Sequence, residues 1–179
     1  AGTFYRSNGD AVGGNVQLAA ASDTLSVRYS GAYATANNYK AGDDFKDAGP
    51  AAPGRGSLAA DEVGSTYYET QNQKLGLAAR LDDHLLDLEA GYQHIPDQGF
   101  PNQRMDMLDN ESTQFVLRYS GDYAWGVVNS RVFYEKTDHE MNFGDDKQYW
   151  YGDAPGMPMK TRGKNGGFAV NAEYRLSGS

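Results

Sequence analysis

All five methionines of this chain fall in pairs of soft side chains spaced two residues apart: Met105-Asp106-Met107, His139-Glu140-Met141 and Met157-Pro158-Met159. Residues i and i+2 of an extended strand point the same way, so each pair can present two ligands to one point. Thioether sulfur is a soft donor and imidazole a borderline one. Together they suit Cu(I) and serve poorly for Mg, Ca or Mn, which prefer oxygen. Methionine also fills irregular gaps where loops pack, and that reading stands beside the first. Other chemistry is sparse. His94 lies next to Ile95-Pro96 and reads as an interfacial residue, while His84 sits in a tight turn and is expected to face solvent. The Gly9-Asp10-Ala11-Val12-Gly13-Gly14 stretch lacks the strand-to-helix setting that a phosphate cradle requires. With no Ser/His/Asp arrangement of readable spacing, no catalytic residue is expected, and the chain reads as a non-enzyme.

The elements that would carry the pairs are seven runs of alternating apolar and polar residues. Val12, Gly14, Val16, Leu18 and Ala20 share one face, as do Leu25, Val27, Tyr29, Gly31 and Tyr33. Leu75, Leu77, Ala79 and Leu81 follow, then Leu86, Leu88, Ala90 and Tyr92, and then Phe115, Leu117 and Tyr119. Val128, Val132 and Tyr134 form the sixth set, and Phe168, Val170, Ala172, Tyr174 and Leu176 the seventh. Successive strand side chains point to opposite faces, so each run builds one apolar and one polar surface. Arg28, Lys74, Arg80, Glu89, Arg118, Arg131, Glu173 and Arg175 fall on the polar one. His139 and Met141 share the parity of Asn129, Arg131 and Glu135 and therefore continue that polar face.

Period alone does not separate a lipid-facing sheet from a half-buried soluble one. Connection lengths do more. The breaks at Ser22-Asp23-Thr24, at Asp82-Asp83-His84 and around Ser120-Gly121-Asp122 are tight, whereas those near 35–66, 95–110 and 142–163 are long and rich in Gly, Pro, Asp and Asn. Short turns at one end and long loops at the other mark an up-and-down transmembrane β-barrel wall, all-β and antiparallel, with periplasmic turns and extracellular loops. In a compact soluble domain, unstructured loops beyond about 12–15 residues are uncommon.

Composition narrows the classes further. The 179 residues are 39% hydrophobic and 12% aromatic, yet no window approaches the run of about 18–20 apolar residues that a spanning helix needs. Thirteen Tyr and two Trp suit the lipid–water boundary, with Tyr119, Tyr123 and Trp125 near a tight turn and Tyr29, Tyr33, Tyr92 and Tyr134 nearer the long loops. A formal net charge of −8 argues against a nucleic-acid partner, because phosphate backbones need a basic surface.

Thr3 to Arg6 reads as the end of a further strand, giving seven full runs and a stub, while the last run dissolves into Ser177-Gly178-Ser179. An open sheet of seven or eight strands leaves unpaired edges that a bilayer cannot satisfy. The expectation is a partial barrel domain over 1–179, belonging to a larger wall. The rival is a complete eight-stranded barrel.

At Gln98-Gly99-Phe100-Pro101-Asn102-Gln103-Arg104-Met105-Asp106-Met107, at Asp138-His139-Glu140-Met141 and at Pro155-Gly156-Met157-Pro158-Met159, the chain resembles TonB-dependent outer-membrane receptors, and within them the copper-receptor branch. The resemblance implies a 22-stranded barrel in the bacterial outer membrane, plugged by an N-terminal domain that this chain lacks and powered through the TonB complex. It implies that His139 and Met141 are metal ligands, that Met157 and Met159 belong to a methionine-bearing loop of transient ligands, and that Met105 and Met107 are weaker candidates. Further ligands in that branch come from the plug, including a cysteine, and this chain has no Cys. Copper is then the transported ligand, with no tightly bound cofactor. If the relatives are siderophore receptors instead, aromatics such as Phe100, Tyr149, Trp150 and Tyr151 would grip an organic iron chelate. A structural or adhesive eight-stranded barrel and a soluble ligand-binding β-barrel are the readings from other classes.

Overall fold

The computed structural model describes residues 1–176 except 52, 54, 153 and 155. Pro155 and the Ser177–Ser179 tail therefore lie outside the described residues. Eight strands form one antiparallel sheet in sequence order: β1 (Gly2–Arg6), β2 (Ala11–Ala21), β3 (Leu25–Ala36), β6 (Tyr68–Leu81), β7 (His84–Gln98), β8 (Asp106–Tyr123), β9 (Gly126–Asn142) and β10 (Met159–Tyr174). Two residue pairs, β4 (Gly49–Pro50) and β5 (Ser57–Leu58), make a separate minute hairpin, and the helix α1 covers Asp145–Tyr151. Strands β1 and β10 are the two edges, so the sheet is an open up-and-down barrel wall. The closed eight-stranded barrel is not what this chain forms. No described helix is long and apolar enough to cross a membrane.

Registry turns the alternating runs into two coherent faces. On one, Val132, Leu117, Leu88, Leu77, Val27 and Ala20 are successive cross-strand partners, flanked by the row Tyr134, Phe115, Ala90, Leu75, Tyr29 and Leu18. Leu18, Leu25, Val27, Leu75, Leu77, Leu86, Leu88, Phe115, Leu117 and Val132 are all exposed. A contiguous apolar surface of this extent marks a partner that is itself apolar. The other face carries an Arg28–Asp87–Arg118 cluster, with Asp87 2.6 Å from Arg28 and 2.9 Å from Arg118, and a Lys74–Glu89 pair at 3.0 Å.

Tyrosines bound the apolar band at both ends. Tyr29 hydrogen-bonds Gln73 on the long-loop side, and a Cβ at Gly31 would stand 2.6 Å from the Tyr29 hydroxyl. At the tight-turn end Tyr119 lies in the same way over Gly121, where a Cβ would collide with its hydroxyl. Each glycine lets a ring lie along its strand with the hydroxyl aimed away from the band, so that the apolar ring body stays with the apolar rows and the polar tip leaves them. His84 is not free in solvent as its turn position suggested. Its Nδ1 is 2.8 Å from the Tyr119 hydroxyl and its ring packs on Tyr119 and Tyr123, with Trp125 stacked beyond.

Strand ends depart from the sequence reading in a consistent direction. The turn expected around Ser120-Gly121-Asp122 falls at Ala124-Trp125, because β8 runs on to Tyr123. The connections expected near 35–66, 95–110 and 142–163 are 37–67, 99–105 and 143–158, the last containing α1. A short turn at Ser7–Asp10 also joins β1 to β2 at the long-loop end, with Gly9 and Asp10 at positive φ. Strands β6 to β10, of 14 to 18 residues, exceed the about 9–11 needed to span a bilayer. The surplus lies on the long-loop side, where both faces become polar.

Candidate functional site

That surplus carries the soft ligands. Met141 on β9 pairs with Met107 on β8 and with Met159 on β10, so three methionines from adjacent strands stand in one cross-strand row. Directly paired residues of an antiparallel ladder point to the same face. His139 occupies the next rung on that face, between Asn110 and Thr161. Parity places all of them on the polar face, in continuity with Arg131 and Glu135.

Met107 reaches this row only because of an irregularity. Below it, Asn110, Ser112, Gln114, Val116 and Arg118 of β8 take the polar face, so an unbroken strand would turn Met107 to the opposite side. The register shifts between Met107 and Asp109, leaving Leu108 as the extra residue. A bulge of this kind re-aims the side chains beyond it. Strand β7 shifts alongside, against Glu69–Gln71 of β6, where Pro96 contributes no N–H to the ladder.

His139 is oriented by its neighbour, with Nδ1 3.0 Å from Asn110 Oδ1. With the amide oxygen accepting, the proton resides on Nδ1 and the Nε2 lone pair is left to act as a ligand, an arrangement common among metal-binding histidines. Among the described residues no three His, Cys, Asp or Glu side chains cluster closely enough to hold a metal ion, so any site here depends on sulfur.

Of the three pairs along the sequence, only His139 and Met141 lie together within one strand. Met105 and Met157 precede β8 and β10, outside the strands, and the extended-chain argument does not reach them; Met157 is 49% exposed. Tyr149 is committed elsewhere: it is buried, and its hydroxyl donates to the Asp47 carbonyl at 2.6 Å. Trp150 and Tyr151 remain exposed, Tyr151 stacking on Phe143.

The loops above the row are knit together by buried polar groups. Lys147 of α1, 2% exposed, sits 3.3 Å from Asp106, which is fully buried beside Met107. Lys147 also donates to the Phe100 carbonyl at 2.7 Å, while Asp106 accepts from Phe100 N at 2.8 Å and from Ser65 Oγ at 2.9 Å. Asp146 accepts from Ser65 N and from Asn38 Nδ2, both at 2.7 Å, so all three long connections meet at α1. The Tyr67 hydroxyl is 3.5 Å from Asp106 Oδ2, and burial first, then the Asp106 charge, holds it well above the ordinary phenol value of 10.0. Folding thus favours protonated Tyr67: its contribution is intact below about pH 10 and is lost as pH rises through the elevated value. Limited proteolysis of the loops should accelerate above pH 10, and Tyr67→Phe should weaken that pH dependence.

No family model matches the chain, and no curated protein matches it. The architecture is nonetheless a known one: an antiparallel wall of the kind that makes up large β-barrels. Among solved structures the chain is similar to the copper transporter OprC, with a TM-score of 0.68 over 94% of this chain at 18% identity. The chain spans 24% of that structure, and at this identity the likeness is one of fold.

Proposed function

We propose that this chain is part of the wall of a bacterial outer-membrane transport receptor that captures copper as Cu(I), with Met107, Met141, Met159 and His139 as ligands at the mouth of the lumen. The observation that carries the reading is the methionine row, because three thioethers and an imidazole at adjacent register positions on one face offer a donor set matched to a soft monovalent ion. The name borne by OprC supports the same ligand class. In this reading the apolar face meets lipid hydrocarbon and the polar face lines water. His139 lies five residues beyond Tyr134, about 16 Å along the strand, and so stands clear of the bilayer where an incoming ion arrives. Uptake then proceeds by relay: ligands that bind firmly enough to select and loosely enough to release pass the ion inward. The energy comes from TonB through a plug domain carried outside these residues. Siderophore-iron uptake draws less support, since Tyr149 is locked into the loop core.

Copper uptake by cells carrying His139→Ala and Met141→Ala together should be lost while the protein still reaches the membrane; unchanged uptake would count decisively against the proposal. Asn110→Ala frees the imidazole and should weaken Cu(I) binding about 10–100-fold, as losing the partner of a metal-bound histidine does. The lipid assignment has its own test. Leu88→Arg, at the centre of the apolar band, should cost about 2–4 kcal/mol in a urea titration of the protein refolded into vesicles, whereas Gln114→Arg on the polar face should cost far less.

A further inference from the structure

The chain is acidic overall, yet two lysines stand side by side on the outward face just above the apolar band. Past Tyr134, the apolar face of β9 continues as Lys136, Asp138 and Glu140, and beside it the same face of β10 presents Lys164, Arg162 and Lys160. Lys164 is the direct partner of Lys136, and Arg162 that of Asp138. Glu111 and Asp109 of β8 are the same-face partners of Asp138 and Glu140, so over these three rows four cations meet four carboxylates, and the excess of positive charge is confined to the row nearest the apolar band, where Lys136 stands between Lys164 and Thr113. Asp138 is shared by Lys136, at 2.5 Å, and Arg162, while Glu140 holds Lys160 at 2.8 Å. Among the described residues Lys164 has no carboxylate partner. Arg162 and Lys160 remain largely exposed, with side-chain exposures of 68% and 75%.

Position gives the patch its meaning. Lys136 and Lys164 lie two residues beyond the Tyr134 row, about 7 Å along the strand, and Arg162 about 7 Å further. With strands tilted by about 35–45°, the lysine pair stands about 5 Å above the hydrocarbon, within the polar zone of roughly 5–8 Å on each side, and Arg162, about 10 Å up, borders that zone. Two directly paired lysines repel each other across a strand pair, a cost that a bound anion between them removes. From this placement we infer that Lys136, Arg162 and Lys164 form a binding surface for the phosphate groups of membrane lipids in the leaflet on the long-loop side. The guanidinium grips a phosphate through paired N–H donors, and the two ammonium groups add point charges. Phosphorylated headgroups packed against β9 and β10 would hold the wall at a fixed depth. This rests on the outer-membrane reading above.

The test embeds the protein in phosphatidylcholine nanodiscs doped either with diphosphoryl lipid A or with lipid A stripped of both phosphates, then counts the lipids retained on transfer to detergent by native mass spectrometry. The protein should retain the phosphorylated form about tenfold better, and the Lys136→Ala, Arg162→Ala, Lys164→Ala variant should lose that preference. Lys136→Arg with Lys164→Arg should keep it, as should Lys40→Ala, which removes a cation from a loop. Equal retention of the two lipids by the unaltered protein overturns the inference and leaves the receptor reading intact; failure to enter the nanodisc at all overturns both. Displacement by millimolar inorganic phosphate also overturns it, since the surface would then recognise the free ion.

Discussion

Leucine at Met107, Met141 and Met159 together should lower Cu(I) affinity by roughly a thousandfold, about 4 kcal/mol, in a competition assay with a colorimetric Cu(I) chelator. Leucine replaces methionine at nearly constant volume, so the wall and its packing are retained while the sulfurs are removed. The loss should exceed the about 10–100-fold that removing an outer partner brings, because first-sphere donors themselves disappear. Met105→Leu with Met157→Leu should leave affinity within about threefold, since neither residue lies in the ladder that aligns the row. The contrast matters more than either number. If both variants weaken binding equally, the methionines act as a diffuse soft surface and cross-strand registry is irrelevant.

The second large effect concerns the loops. Lys147→Ala leaves Asp106 as an unpaired charge at a fully buried position and should destabilise the loop assembly by about 3–5 kcal/mol, read as faster hydrogen exchange over 99–105 and 143–158. Replacing both partners, as Asp106→Asn with Lys147→Met, should recover much of the loss, because no lone charge then remains buried. The strands below have their own hydrogen-bond ladder and should exchange as before. Since Asp106 adjoins Met107, Lys147→Ala should also weaken Cu(I) binding, though by less than the triple leucine variant. An exchange profile unchanged by Lys147→Ala would show that the loops owe their order to other contacts.

The bodies of the strands were readable because burial on one side only forces a two-residue period, and Leu75-Gly76-Leu77 or Leu86-Asp87-Leu88 admits few other interpretations. The strand ends were not. Beyond Tyr134 both faces of β9 are polar, so Lys136-Thr137-Asp138-His139-Glu140 carries no alternation although it is strand throughout. Helix α1, at seven residues, is too short for a helical period to declare itself, and Gly144 offers no side chain to cap it. The loop core depends on Asp106 finding Lys147, and nothing local announces a partner 41 positions away.

The candidate site was half visible. The spacing of His139 and Met141 gave their common face, since β9 is itself unbroken there and pairs with β10 without irregularity, the extra residue lying in β8. For Met107 and Met159 the sequence offered spacing to Met105 and Met157, whereas the structure aligns them with Met141 instead. That alignment rests on the register shift at Leu108, and a single extra residue in a ladder leaves no local pattern in the sequence. Pro96, which marks the companion shift in β7, was the one available signal that registry changes at this height.

X-ray absorption spectroscopy at the copper edge, on the membrane-embedded protein loaded with one equivalent of Cu(I), bears most directly on the methionine row. Two or three sulfur neighbours with one imidazole nitrogen, the sulfur shell vanishing in the triple leucine variant, is the spectrum this arrangement requires. A first shell of oxygen and nitrogen alone, or a sulfur shell that persists without Met107, Met141 and Met159, would contradict it.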